Sequence, residues 1–539
     1  MLSALFLALS LTACDGGNEA TGGAARAGGA GGGGAGGTGE VSLRPLVVDT
    51  AEGKVEGTLI DSTRAFLGIP FAEPPTGDLR WKPPVPHAAW TDTLPANKKG
   101  RACTQANALT GKLDGASGED CLFLNVWAPE KPSSSALPVL VWIHGGAFVL
   151  GSGSDAAYDG KAFSEATGTV VVSINYRLGP LGFLALPELK GEDSAHPTSG
   201  NYGLLDQRLA LSWVKANIAA FGGDAGNVTI FGESAGGIST CLHMLSPGSK
   251  GLFDRAILES GPCDAVDPEE QAMAQGATFV SALGCDAGGD VLACLRDKPV
   301  EEVMAALPTS SDFLNSDVSW FPIADGLEIP APPGELLAAG KFEKVPVILG
   351  TNADEATLFF TLANTVVADE NELLALSEAM VPGHGEEIVA LYPPAEYGSA
   401  QESALAAVAD AGFVCPTRRA ARAFSGAGMP TYLYQFTHAP EGALLGGLGA
   451  FHSAEIAFVL GNPGQLTPKP LSDEEIPLSQ AIMGYWSRHA DKGDPNGDGA
   501  PEWPAFSAAG DENIVLDLTI SKQTGLRKQE CDFWDTVAL

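Results

Sequence analysis

The segment at positions 227–245 constrains the fold of this chain more than any other part of its sequence. Apolar and β-branched residues predict a strand over 227–231, and a helix is predicted from 238 onward. Between them lies Gly-Glu-Ser-Ala-Gly at 232–236, which makes a G-x-S-x-G turn. Strand, turn and helix together form a nucleophile elbow, whose glycines allow a turn too tight for side chains on both sides of the serine. We therefore predict that Ser234 is a nucleophile and that the N–H of Ala235, at a helix N-terminus, faces developing negative charge.

A second glycine-containing segment also follows an apolar run. Residues 137–143 predict a buried strand, and they are followed by His-Gly-Gly-Ala-Phe at 144–148. Small residues at such a position let the backbone approach a substrate and present N–H groups as an oxyanion hole. Taken alone, the segment is more typical of an ordinary glycine turn. Beside the serine turn, it predicts that Gly146 and Ala147 act as oxyanion donors together with Ala235.

Short apolar or β-branched runs recur along the chain and alternate with helical stretches. This alternation is typical of a parallel sheet covered on both faces by helices. The predicted fold class is therefore α/β, with a large, mostly parallel central sheet flanked by helices, in one domain over 43–539. Both glycine-containing segments follow strands, and such sheets hold their chemistry at the carboxyl ends of strands. Strands are predicted near 55–69, 122–127, 169–174, 255–258, 345–349 and 432–436, and a helix over 206–221.

The first 42 residues differ from the rest in composition. Residues 2–13 are apolar but too few to span a bilayer, and the stretch ending at Cys14 resembles the lipobox of a bacterial lipoprotein signal. We predict a signal peptide over 1–13, lipidation of Cys14, and a glycine-rich flexible tether over 14–42. The protein is then exported, and is either lipid-anchored at the bacterial cell envelope or secreted. The lipid is its only predicted membrane contact.

Charge and ligand patterns argue against several kinds of partner. The formal net charge is −35, from 31 basic and 66 acidic residues, so no basic stripe is available to neutralise the phosphates of a nucleic acid. The chain has no C-x-x-C pair of the kind that binds zinc. Residues 494–499 match the first half of a calcium loop, but its twelfth position is Ala505 where a glutamate is needed. No metal and no cofactor are predicted.

A serine nucleophile needs a base, and the base needs an acid to orient it. In α/β sheets with this turn, the chain order is serine, acid, histidine. His452 lies in a glycine-rich loop that opens a helix and is favoured over His438, which ends a predicted strand. The loop after 345–349 contains Asp354 and Glu355 side by side. Their chemistry alone does not choose between them.

The cysteines indicate an oxidising compartment, because the chain has nine of them. Eight remain when Cys14 is set aside, and their pairing is not determined by sequence alone. Cys241 and Cys263 have no evident assignment. Either one is a candidate for a free buried thiol.

Further motifs extend the pattern over nearly the whole chain, roughly residues 43–535. With them, the chain resembles the type B carboxylesterases of the α/β-hydrolase superfamily, which include bacterial para-nitrobenzyl-type esterases, cholinesterases and some fungal lipases. The matching motifs are LGIPFAEPP at 67–75, EDCLFLNV at 119–126, HGGAF at 144–148, NYGLLDQ at 201–207, FGGD at 221–224 and the serine turn.

The resemblance implies roles for particular residues. It implies a catalytic triad of Ser234, Glu355 and His452. Two positions depart from the family pattern: Ala356 follows the acid where glycine is frequent, and Ala147 replaces a glycine in the oxyanion segment. Neither change removes a functional group. The implied disulfides are Cys103–Cys121, Cys285–Cys294 and Cys415–Cys531.

The implied activity is hydrolysis of small-molecule carboxylic esters through an acyl-enzyme. Residues 104–120 contain no tryptophan, the residue that holds choline in cholinesterases, so choline esters are not the expected substrates. The same stretch is small and polar, which does not favour the alternative of a lipase with an apolar lid. A non-catalytic binding protein of the neuroligin type is disfavoured because the serine, acid, base and oxyanion segment are all present.

Overall fold

The described part of the chain begins after the glycine-rich segment. The computed structural model describes residues 43–107, 112–131, 133, 135–307, 318–497 and 499–537. The predicted signal peptide, Cys14 and the tether lie outside the described residues. Within these ranges, no helix combines the length and the apolar character that crossing a bilayer requires.

The strands of the described residues form one large sheet and one small one. They are β1 (Val47–Asp49), β2 (Lys54–Glu56), β3 (Thr58–Ile60), β4 (Thr63–Pro70), β5 (Leu94–Pro95), β6 (Phe123–Pro129), β7 (Leu137–Ile143), β8 (Val170–Ile174), β9 (Gly223–Glu233), β10 (Arg255–Glu259), β11 (Val347–Asn352), β12 (Thr431–Phe436), β13 (Glu512–Leu516) and β14 (Ser521–Thr524).

The helices connect these strands and cover the large sheet. They are α1 (Lys161–Thr167), α2 (Gly179–Phe183), α3 (Pro187–Glu192), α4 (Tyr202–Phe221), α5 (Ala235–Leu245), α6 (Glu269–Ala282), α7 (Val291–Arg296), α8 (Val300–Ala305), α9 (Pro333–Ala338), α10 (Glu355–Leu362), α11 (Glu370–Met380), α12 (Gly385–Leu391), α13 (Pro394–Tyr397), α14 (Ala400–Ala409), α15 (Cys415–Gly426), α16 (Ile456–Leu460), α17 (Ile476–Lys492) and α18 (Lys528–Trp534). A π-helical segment, Asp410–Val414, joins α14 to α15.

The large sheet has the order β14-β13-β12-β11-β10-β9-β7-β8-β6-β4-β3 within the described residues. The strands from β13 to β8 in this order are parallel to their neighbours. Antiparallel strands extend the sheet at both edges. The carboxyl ends of β7, β9, β10 and β11 therefore lie along one edge of the sheet. This architecture confirms the predicted α/β fold class with a mostly parallel central sheet.

Central strands are apolar on both faces because each face carries its own core. In β7, Val139, Val141 and Ile143 belong to one core cluster, while Leu140 and Trp142 belong to the other. Helices α4, α5 and α15 pack on one face, and α1, α16 and α17 pack on the other. Alternate side chains of a strand point to opposite faces, so a strand between two helical layers reads as a continuous apolar run.

Most predicted elements agree with the structure. The strand predicted over 137–143 coincides with β7, and the helix predicted over 206–221 begins four residues earlier, at Tyr202. The sequence analysis did not identify β1, β5, β13 or β14. These strands are two to five residues long, and they either lie in the small sheet or are the last two strands at one end of the large one, so each leaves only a short apolar pattern.

The three disulfides implied by the family resemblance are present: Cys103–Cys121, Cys285–Cys294 and Cys415–Cys531. The expectation of a free thiol at Cys241 or Cys263 is wrong, because these two residues form a fourth disulfide. Cys241 lies on α5 and Cys263 lies just beyond β10. Helix α5 packs against β10, which brings the two cysteines together although 22 positions separate them.

Candidate active site

The serine turn is held by contact with the neighbouring strand. Ser234 lies between β9 and α5 with φ 58° and ψ −124°, a conformation that costs a residue with a side chain about 1–3 kcal/mol. A Cβ on Gly232 or Gly236 would lie 2.4 or 1.9 Å from the carbonyl oxygen of Ile143, so both positions require glycine. The N–H of Ser234 donates to the carbonyl of Glu259 at 2.9 Å, which ties the turn to β10.

The oxyanion segment runs close beside this serine. A Cβ on Gly145 would lie 3.1 Å from Cβ of Ser234, which shows how near the two backbones approach. Gly146, Ala147 and Phe148 all have positive φ, at 105°, 53° and 61°. Within the described chain, the N–H groups of Gly146, Ala147 and Ala235 have no hydrogen-bond acceptor. Unpaired N–H groups of this kind are suited to bind an oxyanion.

Glu355 and His452 are in direct contact. Glu355 is the first residue of α10 and is fully buried. One of its carboxylate oxygens accepts hydrogen bonds from the N–H of Asn352 at 2.7 Å and the hydroxyl of Ser260 at 2.6 Å. Its other oxygen, Oε2, lies 2.5 Å from Nδ1 of His452. Glu355 is thus fixed by its own turn and by the end of β10 while it holds the imidazole.

A second carboxylate lies on the opposite side of the imidazole. Oε1 of Glu233 lies 3.1 Å from Nε2 of His452, and it accepts a hydrogen bond from the hydroxyl of Ser453 at 2.6 Å. Sequence reasoning assigned no role to Glu233, although a charged residue between the glycine and the serine of the turn was a visible signal. The structure therefore adds Glu233 to the residues that contact His452.

Electrostatics around the imidazole favour its charged form. Burial lowers the pKa of His452, but the charges of Glu233 and Glu355, together with the hydrogen bond to Glu355, outweigh it and raise that pKa above its usual value. Burial also raises the pKa of Glu233, against the opposing effect of His452. The surroundings of His452 therefore stabilise its imidazolium form.

Two phenylalanines pack against the same ring. The ring centroids of Phe359 and Phe413 each lie 5.0 Å from that of His452. Phe359 is on α10, one turn after Glu355, and Phe413 is in the π-helical segment Asp410–Val414. Their contacts limit the orientations that the imidazole can adopt.

His438, the alternative to His452, and two further histidines, His489 and His144, have environments typical of structural residues. Nε2 of His438 lies 3.0 Å from Oε1 of Glu475. His489 is fully buried in α17, and burial lowers its pKa to about 3. His144 stacks on Tyr176 with ring centroids 4.3 Å apart, and burial lowers its pKa to about 4. Neither His144 nor His489 is a suitable base near neutral pH.

A cavity of about 300 Å³ opens onto these residues. Ser234, His452, Gly146 and Ala147 all contribute to its wall. Its apolar side comes from α10 and α16, whereas loops supply Gln105, Asp114, Asp155 and Gln465. Among the described residues, no lysine or arginine lines it. Its volume is at the lower end of the range for small-molecule sites, about 300–1,000 Å³.

The structure thus brings together the residues that the sequence analysis singled out for the site. Ser234 and His452 line one cavity, Glu355 contacts His452, and the oxyanion segment lies against the serine turn. Asp354, the open alternative to Glu355, accepts a hydrogen bond from the N–H of Ala450 instead of contacting the imidazole.

Comparison with known proteins agrees with this geometry. Residues 44–534 match the model of the carboxylesterase family. The chain is also 37% identical over 483 residues to the para-nitrobenzyl esterase of Bacillus subtilis (strain 168). That similarity covers 88% of this chain and 95% of the relative. The family match includes the central sheet and every residue of the site described above.

Proposed function

Because this chain belongs to the carboxylesterase family and is a carboxylic ester hydrolase, we propose that it works through an acyl-enzyme formed on Ser234. His452 is the general base and Glu355 is the acid that orients it. The observation that carries the proposal is the 2.5 Å contact between Oε2 of Glu355 and Nδ1 of His452, on an imidazole that shares the wall of one cavity with Ser234.

The first half of the reaction forms the acyl-enzyme. His452 takes the proton of the Ser234 hydroxyl as the oxygen attacks the ester carbonyl, and Glu355 stabilises the resulting imidazolium. The N–H groups of Gly146, Ala147 and Ala235 bind the oxyanion of the tetrahedral intermediate. His452 then gives its proton to the departing alcohol.

The second half releases the acid. Water enters the cavity, His452 removes its proton, and the hydroxide equivalent attacks the acyl carbonyl. The same three N–H groups stabilise the second tetrahedral intermediate. As that intermediate collapses, the bond between the acyl carbon and Oγ of Ser234 breaks, His452 returns its proton to Oγ, and the carboxylic acid leaves, so no cofactor takes part.

The substrate is a small carboxylic ester that carries no negative charge. A cavity of about 300 Å³ accommodates short acyl and alcohol groups. The printed name of the Bacillus relative makes para-nitrobenzyl esters a reasonable first series to assay. The lipase alternative remains distinguishable, because a lipase turns over long acyl chains faster than short ones. Turnover of para-nitrophenyl esters of increasing acyl length separates the two.

The Ser234→Ala variant tests the mechanism. We expect ester hydrolysis to fall by about 10⁶-fold or to background, because loss of the nucleophile removes the acyl-enzyme route. Covalent labelling by an organophosphate should also disappear, while the thermal melting temperature stays within a few degrees of wild type. Ser521→Ala, an exposed serine on β14, is the matched control and should keep full activity and labelling. Unchanged turnover in Ser234→Ala would reject the proposal.

The protein is exported and held by a lipid on Cys14. Support comes from the lipobox-like sequence and from the four disulfides, which are typical of an oxidising compartment. When the protein is expressed in a bacterial host, wild type should incorporate labelled palmitate and fractionate with membranes. Cys14→Ser should lose both properties and keep its specific activity. Membrane fractionation of Cys14→Ser equal to that of wild type would refute lipid anchoring.

A further inference from the structure

The residue beside the proposed acid contacts the loop that carries the proposed base. The N–H of Ala450 donates to Oδ2 of Asp354 at 2.8 Å. In return, the N–H of Asp354 donates to the carbonyl of Ala450 at 3.0 Å. Asp354 precedes Glu355, and Ala450 is two residues before His452. These two bonds therefore join the residue next to Glu355 to the loop that carries His452.

Two neighbouring residues extend this connection. The side-chain N–H of Asn352 donates to the carbonyl of Phe451 at 2.8 Å, and the hydroxyl of Thr357 donates to the carbonyl of Leu448 at 2.7 Å. Together, these four hydrogen bonds join residues 352–357 to residues 448–451. They hold the base loop along its length, immediately before the imidazole.

The loop before His452 needs contacts with other segments to fix its conformation. It contains Gly446, Gly447 and Gly449, and glycine leaves a backbone more conformational freedom than any other residue. The next helix, α16, begins only at Ile456. Glu355, by contrast, is fixed on α10 by Ser260 and Asn352. The position of the base relative to the acid therefore depends on contacts between the loop and the turn.

Gly449 shows how closely Asp354 fits against this loop. A Cβ built on Gly449 would lie 2.1 Å from Oδ2 of Asp354, and its φ of +67° already disfavours a side chain. Gly447, two residues earlier, has a similar φ of +79° but no atom within 4 Å of such a Cβ. The close contact is thus specific to the Asp354 carboxylate.

We propose that Asp354 is a positioning residue for ester hydrolysis, whose carboxylate sets the place of His452 against Glu355. The proposal rests on the triad proposed above, since it concerns the distance between two of its members. Misplacing a reacting group by about 1 Å costs about 100-fold in rate. Loss of the Asp354 carboxylate should therefore lower kcat, because proton transfer suffers. KM should change little, because Asp354 does not line the cavity.

The first test compares Asp354→Ala with Asp354→Asn. We expect kcat, normalised to sites titrated by an organophosphate, to fall by 10- to 100-fold in Asp354→Ala with KM within twofold. Asparagine keeps an oxygen that accepts from Ala450, so Asp354→Asn should recover most of kcat. Asp354→Ala with wild-type kcat, or with a loss confined to KM, would overturn the proposal.

The second test uses the clash at Gly449. Gly449→Ala should lower kcat in the wild-type background, because the new Cβ meets the Asp354 carboxylate. In the Asp354→Ala background the contacts with Oδ2 and Cγ are gone, and only Cβ of residue 354 remains near, at 3.3 Å, so the combined loss should be smaller than the product of the two single losses. Gly447→Ala is the matched control, and its effect should multiply with that of Asp354→Ala. Multiplicative behaviour at Gly449 would contradict the assigned contact.

Failure of this inference differs from failure of the proposed mechanism. If Ser234→Ala is inactive while Asp354→Ala keeps wild-type kcat, the nucleophile assignment stands and the positioning role is rejected. If Ser234→Ala itself keeps its activity, the triad is rejected and the positioning role with it. Melting temperatures of all variants separate a misplaced loop from an unfolded protein.

Discussion

At the scale of single residues, Glu233 connects the serine turn to His452 and its loop. Its carboxylate contacts both His452 and the hydroxyl of Ser453, so the residue just before Ser234 also contacts the loop that carries His452. Together with Glu355, it places two carboxylates on the two nitrogens of one imidazole. Such an arrangement stabilises the imidazolium strongly and consequently makes the resting base easier to protonate.

Glu233→Gln tests this electrostatic effect. The Glu233 charge raises the pKa of His452, and in the proposed mechanism His452 must be neutral to accept the proton of Ser234. Activity therefore rises as pH rises through the His452 pKa, and removing the charge should shift the acid limb of kcat/KM to lower pH. The glutamine side chain can still accept a hydrogen bond from the hydroxyl of Ser453. The control is Glu188→Gln, which removes one negative charge from an exposed position on α3. It should leave the acid limb of kcat/KM at the wild-type pH. An unmoved limb in Glu233→Gln would show that the base does not sense this carboxylate.

At the scale of elements, the end of β10 contacts several parts of the site. Its last residue, Glu259, accepts the N–H of Ser234 through its carbonyl, and Ser260 donates its hydroxyl to Glu355. A few residues further on, Cys263 is joined to Cys241 on α5. The disulfide therefore links α5 to the same segment that contacts Glu355.

Removing this disulfide should affect both stability and activity. For a separation of 22 residues, loop-closure entropy predicts a loss of about 3 kcal/mol in the free energy of unfolding for Cys241→Ala/Cys263→Ala. We expect kcat to fall as well, because α5 loses its link to the β10 segment. Cys285→Ala/Cys294→Ala is the control: its loop spans nine positions, so it should cost less stability and leave kcat unchanged. Equal effects on kcat would contradict a role for the Cys241–Cys263 link. Denaturant unfolding and steady-state kinetics measure the two quantities.

The charge distribution of the whole molecule bears on substrate choice. The chain carries a formal net charge of −35. The cavity is acidic as well, because its wall contains Asp114, Asp155 and Glu233. A substrate with a carboxylate must approach a negative surface and then enter a negative site. Neutral and cationic esters meet no such barrier.

Esters of matched size but different charge test this selectivity. We expect kcat/KM for the para-nitrophenyl monoester of succinate to be at least about tenfold below that for para-nitrophenyl butyrate. The ester of 4-aminobutyrate should match or exceed the butyrate. Added salt should narrow the gap in part, because it screens the exposed surface charge more than the charges inside the cavity. Comparable turnover of succinate and butyrate esters at low salt would contradict this reading of the cavity.

Local sequence signals predicted much of the fold and of the candidate site. Strand β7 and most of helix α4 were predictable from sequence. Buried residues recur at the regular spacing of a strand or a helix, so they leave a pattern among neighbouring residues. The serine turn was predictable for a similar reason: its glycines are required by contacts within a few residues of Ser234 and with β7. Family resemblance then selected Glu355 over Asp354, which residue chemistry had left open.

The sequence by itself determined which groups are available for chemistry, because side-chain identity and local backbone needs are encoded residue by residue. Tertiary structure decided which of those groups meet. The Cys241–Cys263 disulfide, the contact of Glu233 with His452 and the bonds of Asp354 to Ala450 each join positions far apart in the chain. Such contacts arise only when the parallel strands align their carboxyl ends at one edge of the sheet. No local pattern records that alignment.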